Sequence, residues 1–267
     1  MTTTLIPTIP STAPILPTPF PQALDSGLSQ NFSSSSCSSF FANMTSDASF
    51  RTCRPFSLLL GSSAAFINAQ SNLTLLNSIL WGTCNSPTPY DQCISNMNSF
   101  ASSLQSNCPK ELKQDNIIVS NTLIELQSFQ LLYSSSCLSS PSSNTYCYLT
   151  ASYNPNPFDL YVYSLPLGIP IPNSSTPTCS DCSNSVMTVY ANALKNGQAG
   201  QGQSGGLGLL KDTFTNALQI CQSGCGQQFN LIAQGLNLST ASLPTFNLPT
   251  LLLALLLSLA PSFLTFG

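Results

Sequence analysis

The sequence predicts an all-α fold: a disulfide-stapled helical bundle with one short extended, β-hairpin-like aromatic excursion. Three observations carry that expectation. Apolar residues recur at helical spacing through most of the chain, cysteines fall on the same apolar faces, and one aromatic-rich stretch breaks the pattern.

Taken in chain order, residues 1–30 are rich in Pro, Thr and Ser, with prolines at positions 7, 10, 14, 17, 19 and 21. They read as a disordered segment without a core-forming pattern. A cysteine-rich helical ectodomain is expected over residues 31–235. From Pro55 to Leu80, Leu59, Phe66, Leu73 and Leu80 lie seven residues apart with Ala69 and Leu76 between them, one apolar helix face that leaves Asn72 outside it. A second helix, about Gln92 to Ser106, aligns Cys93, Met97, Phe100 and Leu104, and Cys108 continues the face. A third is expected from Pro109 to about Leu138, where Leu112, Val119, Leu126 and Tyr133 repeat beside Ile117, Ile124 and Leu131. The excursion, Tyr146 to Pro172, alternates aromatics around Asn-Pro-Asn-Pro and suggests two short strands or an extended flap. Helical spacing returns with Cys182, Val186, Val189 and Ala193 between Asp181 and Asn196, and again from Leu207 through Leu210, Phe214, Leu218, Cys221, Cys225 and Phe229 to Ile232.

Composition excludes several functions. Only 6% of the 267 residues are charged, against about a quarter in ordinary domains. Six Lys+Arg against nine Asp+Glu leave no basic surface for a phosphate backbone, so nucleic acid is not an expected partner. Histidine is absent, which removes the usual general base and metal ligand. Eleven cysteines allow five intrachain bridges and leave one thiol over. Short-loop pairing suggests Cys37 with Cys53, Cys84 with Cys93, and Cys137 with Cys147, each closure worth roughly 2–4 kcal/mol. Cys221 and Cys225 are one helical turn apart, so one of them is the candidate odd thiol. N-glycosylation sequons start at Asn31, Asn43, Asn72, Asn173 and Asn237, whereas Pro87 disqualifies Asn85. Sequons and cysteines together point to the oxidising secretory route.

The C-terminus carries the most specific signal. Leu248 to Gly267 contains no charge, and Ser239, Thr240 and Ala241 form a small-residue triplet ahead of it. Residues 236–267 thus read as a glycolipid (GPI) attachment signal with Ser239 as the anchor site and a cleaved hydrophobic tail. The first residues lack the basic n-region and continuous apolar run of a secretory leader, so the same reading expects the true start to lie upstream of Met1.

Chemical motifs are sparse. Cys179-Ser-Asp-Cys182 matches the redox C-x-x-C, and with Cys221 and Cys225 a zinc set, but an oxidising compartment favours structural bridges. The glycine-rich run at 200–206 satisfies two short patterns, a nucleophile elbow and a dinucleotide loop. It has neither a histidine for a triad nor a preceding strand. Asp25-Ser-Gly27 has no second copy to form a carboxylate dyad. On a continuous third helix Glu111 and Glu125 would stand about 21 Å apart, beyond glycosidase spacing. Glu111 and Asp115 suit a solvated helix start. Asp159 is the carboxylate nearest a carbohydrate-stacking surface, formed by Tyr146, Tyr148, Tyr153, Tyr161 and Tyr163, for which core packing is the competing use. No catalytic, metal or cofactor-binding residue is assigned.

The ordered motifs CRPFSLLLGSSAAF (Cys53 to Phe66), the spaced Cys84, Cys93 and Cys108, CLSSPSSNTYCY (Cys137 to Tyr148), DLYVYSLPLGIPIP and TPTCSDC resemble a family of uncharacterised fungal glycolipid-anchored cell-surface proteins, known only as a cysteine-rich domain of unknown function. The resemblance spans about Asn31 to Ala233. It implies a plasma-membrane or cell-wall location, no assigned activity, and Cys225-Gly226 as the expected cysteine, with Cys221 an addition. Bridge members are then Cys37, Cys53, Cys84, Cys93, Cys108, Cys137, Cys147, Cys179, Cys182 and Cys225. The expected function is a GPI-anchored extracellular protein with a structural or interaction role, its partners the plasma membrane and cell-wall polysaccharide. Alternatives are a binding module for a lipid, haem or glycan, and a wall-polysaccharide-modifying enzyme using Asp159.

Overall fold

Short polar side chains set where the helices begin. In the computed structural model, which describes residues 5–27, 32–197 and 204–236, helix α1 (Ser35–Ser46) is capped by Ser34 and α2 (Ala48–Arg51) by Asp47. The expected helix over 55–80 is three: α3 (Phe56–Ser62), α4 (Ala64–Ala69) and α5 (Leu73–Cys84). Ser63 accepts from Phe66 N–H and Asn72 from Leu75 N–H, so each restarts the helix at a new angle while the apolar register continues. The second helix runs as expected, α6 (Tyr90–Asn107). The third divides into α7 (Pro109–Lys113), α8 (Ile117–Gln127) and α9 (Phe129–Ser136), with Asn116 capping α8. Then follow α10 (Cys147–Tyr153), α11 (Phe158–Val162), a 3-10 turn at Leu165–Leu167, α12 (Asp181–Asn196), α13 (Ser204–Cys225), a 3-10 turn at Gly226–Phe229, and α14 (Asn230–Gly235).

The helices enclose two apolar cores. One gathers Phe41, Phe50, Met97, Leu104, Val119 and Leu126 between α1, α2, α6 and α8. The other centres on Phe56, Phe66, Tyr148, Tyr163, Tyr190 and Phe214 and takes in α4, α5 and α9 to α14. Helix α3 is the party wall, giving Leu58 to the first core and Phe56 and Leu59 to the second. Gly61 fits it against α8, because a Cβ there would collide with the Glu125 carboxyl.

The aromatic excursion corrects the expectation of strands. Tyr146 to Pro172 is mostly helical, and among the described residues extended pairing is confined to a single bridge between Ser139 and Tyr146. The Asn-Pro-Asn-Pro turn is real: the Asn154 side chain accepts from Asn156 N–H and that of Asn156 from Phe158 N–H, at 3.0 and 3.1 Å. What resembled β alternation is a pair of short helices, α10 and α11, around which Tyr148 packs edge-on with Phe56 of α3 and with Tyr163 just past α11, each 4.9 Å between centroids. Over so few residues periodicity cannot separate a buried strand from a buried helix.

Residues 5–27, expected to be a disordered segment, lie as an extended strap along the bundle. Ile6, Ile9 and Phe20 pack on the second core. Ile9 N–H donates to Asn144 O, and Asn77 Nδ2 to Thr8 O, both at 2.8 Å. Phe20 lies 4.4 Å beneath the Arg54 guanidinium, which donates to Gly82 O; a Cβ on Gly82 would meet the Phe20 ring at 2.8 Å. Asp25 ends the strap by accepting from Ser63 Oγ and Ala64 N–H, so the Asp-Ser-Gly motif is a helix cap for α4. Prolines that break helices also pre-extend a chain, and the strap uses them that way.

The pairings are Cys37–Cys108, Cys53–Cys93, Cys84–Cys137, Cys147–Cys182 and Cys179–Cys225. All three short-loop expectations are therefore replaced. Each bond joins elements distant in sequence, closing 35 to 71 residues, worth about 4 kcal/mol each in the chain-entropy picture. The short segments 37–53, 84–93 and 137–147 instead carry the chain from one bridge to the next. Digestion without reduction is expected to yield linked peptides for Cys53–Cys93 and Cys84–Cys137, while a Cys84–Cys93 peptide would refute this map. Asp25→Ala is expected to cost about 1 kcal/mol of stability and to speed proteolysis within residues 5–27, read by denaturation and by limited digestion.

Candidate functional site

Asp159, the carboxylate favoured for carbohydrate chemistry, is buried in the first turn of α11. Thr178 Oγ1 donates to its Oδ1 and Ser180 Oγ to its Oδ2. Burial raises its pKa and these two bonds oppose the rise. The carboxyl ties α11 to the segment that starts α12, where Ser180 is itself the cap. The tyrosines do not form a stacking platform: Tyr146, Tyr148 and Tyr163 are buried, Tyr161 is half-buried, and Tyr153 is 42% exposed. Burial, then the nearby Tyr190, Tyr148 and Asp159, push the Tyr163 phenol well up, and its hydroxyl has no partner.

The C-x-x-C cysteines bond away from each other, Cys182 to Cys147 and Cys179 to Cys225, so they hold helices rather than exchange electrons as a pair. Gly224 lets α13 come close enough, since a Cβ there would strike the Pro177 ring. Of the two thiols one turn apart, Cys221 is the free one. It is buried, and burial, with the Asp159 charge, pushes it up to about 12, which keeps it a protonated core residue. The sulfurs of Cys37 and Cys108 lie with the Glu111 carboxylate inside a 4.8 Å cluster of metal-ligand type, but they are bonded to each other and cannot act as thiolate ligands.

Glu111 and Glu125 sit on different helices and have opposite characters. The solvated helix start expected for Glu111 is replaced by full burial. Its Oε1 accepts from Ser33 Oγ and from Ser34 N–H and Oγ at 2.7–3.0 Å, while Oε2 has no partner. Burial works against the charge, yet these bonds prevail and hold the carboxyl below its usual range. Glu125, 6% exposed against Gly61, meets only the Ser62 hydroxyl as a favourable partner, and burial pushes it up to about 8.

Surface grooves among the described residues include two of note. Asn192, Lys195, Leu231 and Leu236 contribute to one of about 180 Å³ between α12 and α14. The other, about 340 Å³, runs between α1 and α6 with Phe40, Met44 and Phe100 among its walls and hydroxyl and amide side chains around them. Of the sequons, Asn43, Asn72 and Asn173 are exposed. Asn72 spends its Oδ1 on Leu75 N–H, and Asn173 Oδ1 accepts from Asn216 Nδ2. Asn31, Asn237, Ser239, the apolar tail and residues 198–203 of the glycine-rich run lie outside the described residues. Among the described residues, no helix is long and apolar enough to cross a membrane. Arg54, Gly61, Gly82 and Gly224 escaped sequence reasoning, because close approach between distant segments leaves no local pattern.

Five bridges in an all-α chain of this size mark an extracellular or secreted type of protein. Within that class, the chain belongs to the family described as Domain of unknown function (DUF7729), which matches residues 19–234. No curated protein and no solved structure matches it.

The Glu125 pKa has a sign that can be worked out. Between the ordinary 4.5 and about 8 the folded chain holds a proton that the unfolded chain has released, so stability falls as pH rises through that window, by up to about 1.4 kcal/mol per unit. Glu125→Gln is expected to remove this slope, matching the wild type near pH 4.5 and exceeding it above 8. Denaturant titrations across that range check it, and parallel curves for the two proteins would refute a protonated Glu125.

Proposed function

We propose that the protein is a GPI-anchored extracellular module of the fungal plasma membrane or cell wall, acting as a structural or interaction element rather than through catalysis. The observation that carries this reading is the uncharged run from Leu248 to Gly267 behind the small triplet at Ser239, on a chain whose bridges need an oxidising compartment. The exposed sequons Asn43, Asn72 and Asn173 support the same route. With so few charges, the hydroxyl- and amide-rich surface suits polysaccharide contact better than binding of highly charged partners. A binding module for a lipid, haem or glycan is the second reading, supported by the α1–α6 groove with its apolar walls and neutral polar side chains. A polysaccharide-modifying enzyme built on Asp159 has less support, since both carboxyl oxygens already accept hydrogen bonds from α12's approach segment.

The test is treatment of intact cells with a phosphatidylinositol-specific phospholipase, followed by terminal peptide masses of the released protein. Release with a chain ending near Ser239 is expected. Retention on the cells, with the peptide ending in Gly267 recovered, would overturn the proposal.

A further inference from the structure

We infer that Asn43 carries an N-linked glycan whose first sugars lie in the groove between α1 and α6, so that this groove is a carbohydrate seat filled by the protein's own modification. The inference rests on the secretory route proposed above. Asn43 is exposed, heads an intact Asn-Met-Thr sequon, and is itself part of the groove wall. It sits on the face of α1 that also presents Ser36, Phe40, Met44 and Asp47, at three- and four-residue steps, while α6 supplies Phe100, Ser103 and Asn107 opposite.

The chemistry of the walls fits a sugar. Phe100 is half-buried and offers apolar ground for the C–H face of a pyranose or an acetamido methyl group, over a floor in which Phe40 and Met44 are almost wholly buried. Ser36, Ser39, Ser103 and Asn107 bring neutral hydroxyl and amide groups to the edges. The only charged wall residue, Asp47, is engaged elsewhere, accepting from Ser49 N–H and Oγ at 2.7 Å. Both ends of the cleft are tied: Ser36 Oγ donates to Asn107 O at 2.7 Å, and Asn96 Nδ2 joins α6 to Ser49 O at 3.1 Å. Its volume of about 340 Å³ sits at the lower end of small-ligand sites, roughly 300–1,000 Å³. Asn72 and Asn173 line neither groove, so they serve as internal comparisons.

The modification is ordinary amide glycosylation. Asn43 Nδ2 bonds to the anomeric carbon of a lipid-diphosphate-linked oligosaccharide, the carbon–oxygen bond to the diphosphate breaks, and the amide proton leaves with the lipid diphosphate. It takes place on the unfolded chain in the secretory lumen, and folding then brings α6 alongside.

The full chain, directed into the secretory route of a eukaryotic host by an added leader and recovered from the cells, is mapped by glycopeptide mass spectrometry at the three asparagines and then digested with an endoglycosidase in native and in reduced, denatured form. The Asn43 glycan is expected to be present and, in the native protein, released at least tenfold more slowly than those at Asn72 and Asn173, with the difference lost on denaturation. Ser103→Trp, which fills the groove from its edge, should bring the Asn43 rate up to the other two. Asn43 bare while Asn72 and Asn173 are modified, or three equal native rates, overturns the inference and leaves the surface reading standing. No glycan on any of them overturns the inference, while phospholipase release decides the surface reading separately.

Discussion

The contact of α3 with α8 is the constraint on which the rest of the fold depends. Helix α3 has about two turns in which to serve two cores, so it must lie flush with its neighbours on both sides. Gly61 permits that, and the Glu125 carboxyl occupies the space a side chain would have taken. The arrangement places a carboxyl where little water reaches it and where Ser62 is its favourable polar neighbour. Such a group is tolerated in neutral form and penalised as an anion. The wall between the cores is thus the place where protonation and packing are coupled.

Elsewhere the few acids serve the backbone. Asp25 caps α4, Asp47 caps α2, Glu111 gathers the start of α1, and Asp159 fastens the approach to α12. In each case a carboxylate replaces a backbone or hydroxyl partner that a helix end would otherwise lack. This explains why so small a complement of charge suffices for so many short helices, and why the acidic residues cluster at element starts rather than around a common cleft.

The sequence made the helical content legible because amphipathic spacing is a local property. Met97, Phe100 and Leu104 announce α6, and Val186 with Ala193 announces α12, without reference to anything else in the chain. It did not reveal the breaks at Ser63, Asn72 and Asn116, since a capping residue inside an unbroken apolar register looks like an ordinary polar position. Tyr148 and Tyr163 read as strand residues because their burial is set by Phe56 and Phe66, about a hundred residues earlier in the chain. Proline content hid the strap in the same way: Phe20 is held only because Arg54 and a bare Gly82 meet it. Asp159 reads from the sequence as the carboxylate beside a carbohydrate-stacking surface, yet its partners Thr178 and Ser180 make it a buried tie.

The bridges also determine how the molecule bears tension. A pull between residues 37 and 225 need not pass through the helices in order. It runs along 37–53 and crosses to Cys93, and in parallel crosses from Cys37 to Cys108 and runs back along 93–108; from Cys93 it returns to Cys84, crosses to Cys137, continues to Cys147, and crosses to Cys182 and then from Cys179 to Cys225. The stretches 54–83, 109–136, 148–178 and 183–224, which hold most of the second core, hang off this path as unloaded loops. Beyond Cys225 the described residues 226–236 can pay out about 35–40 Å of chain before the load meets a covalent cross-link. The second core can melt under strain and the chain still extends by a small part of its contour, as a rope ladder does when its rungs hold.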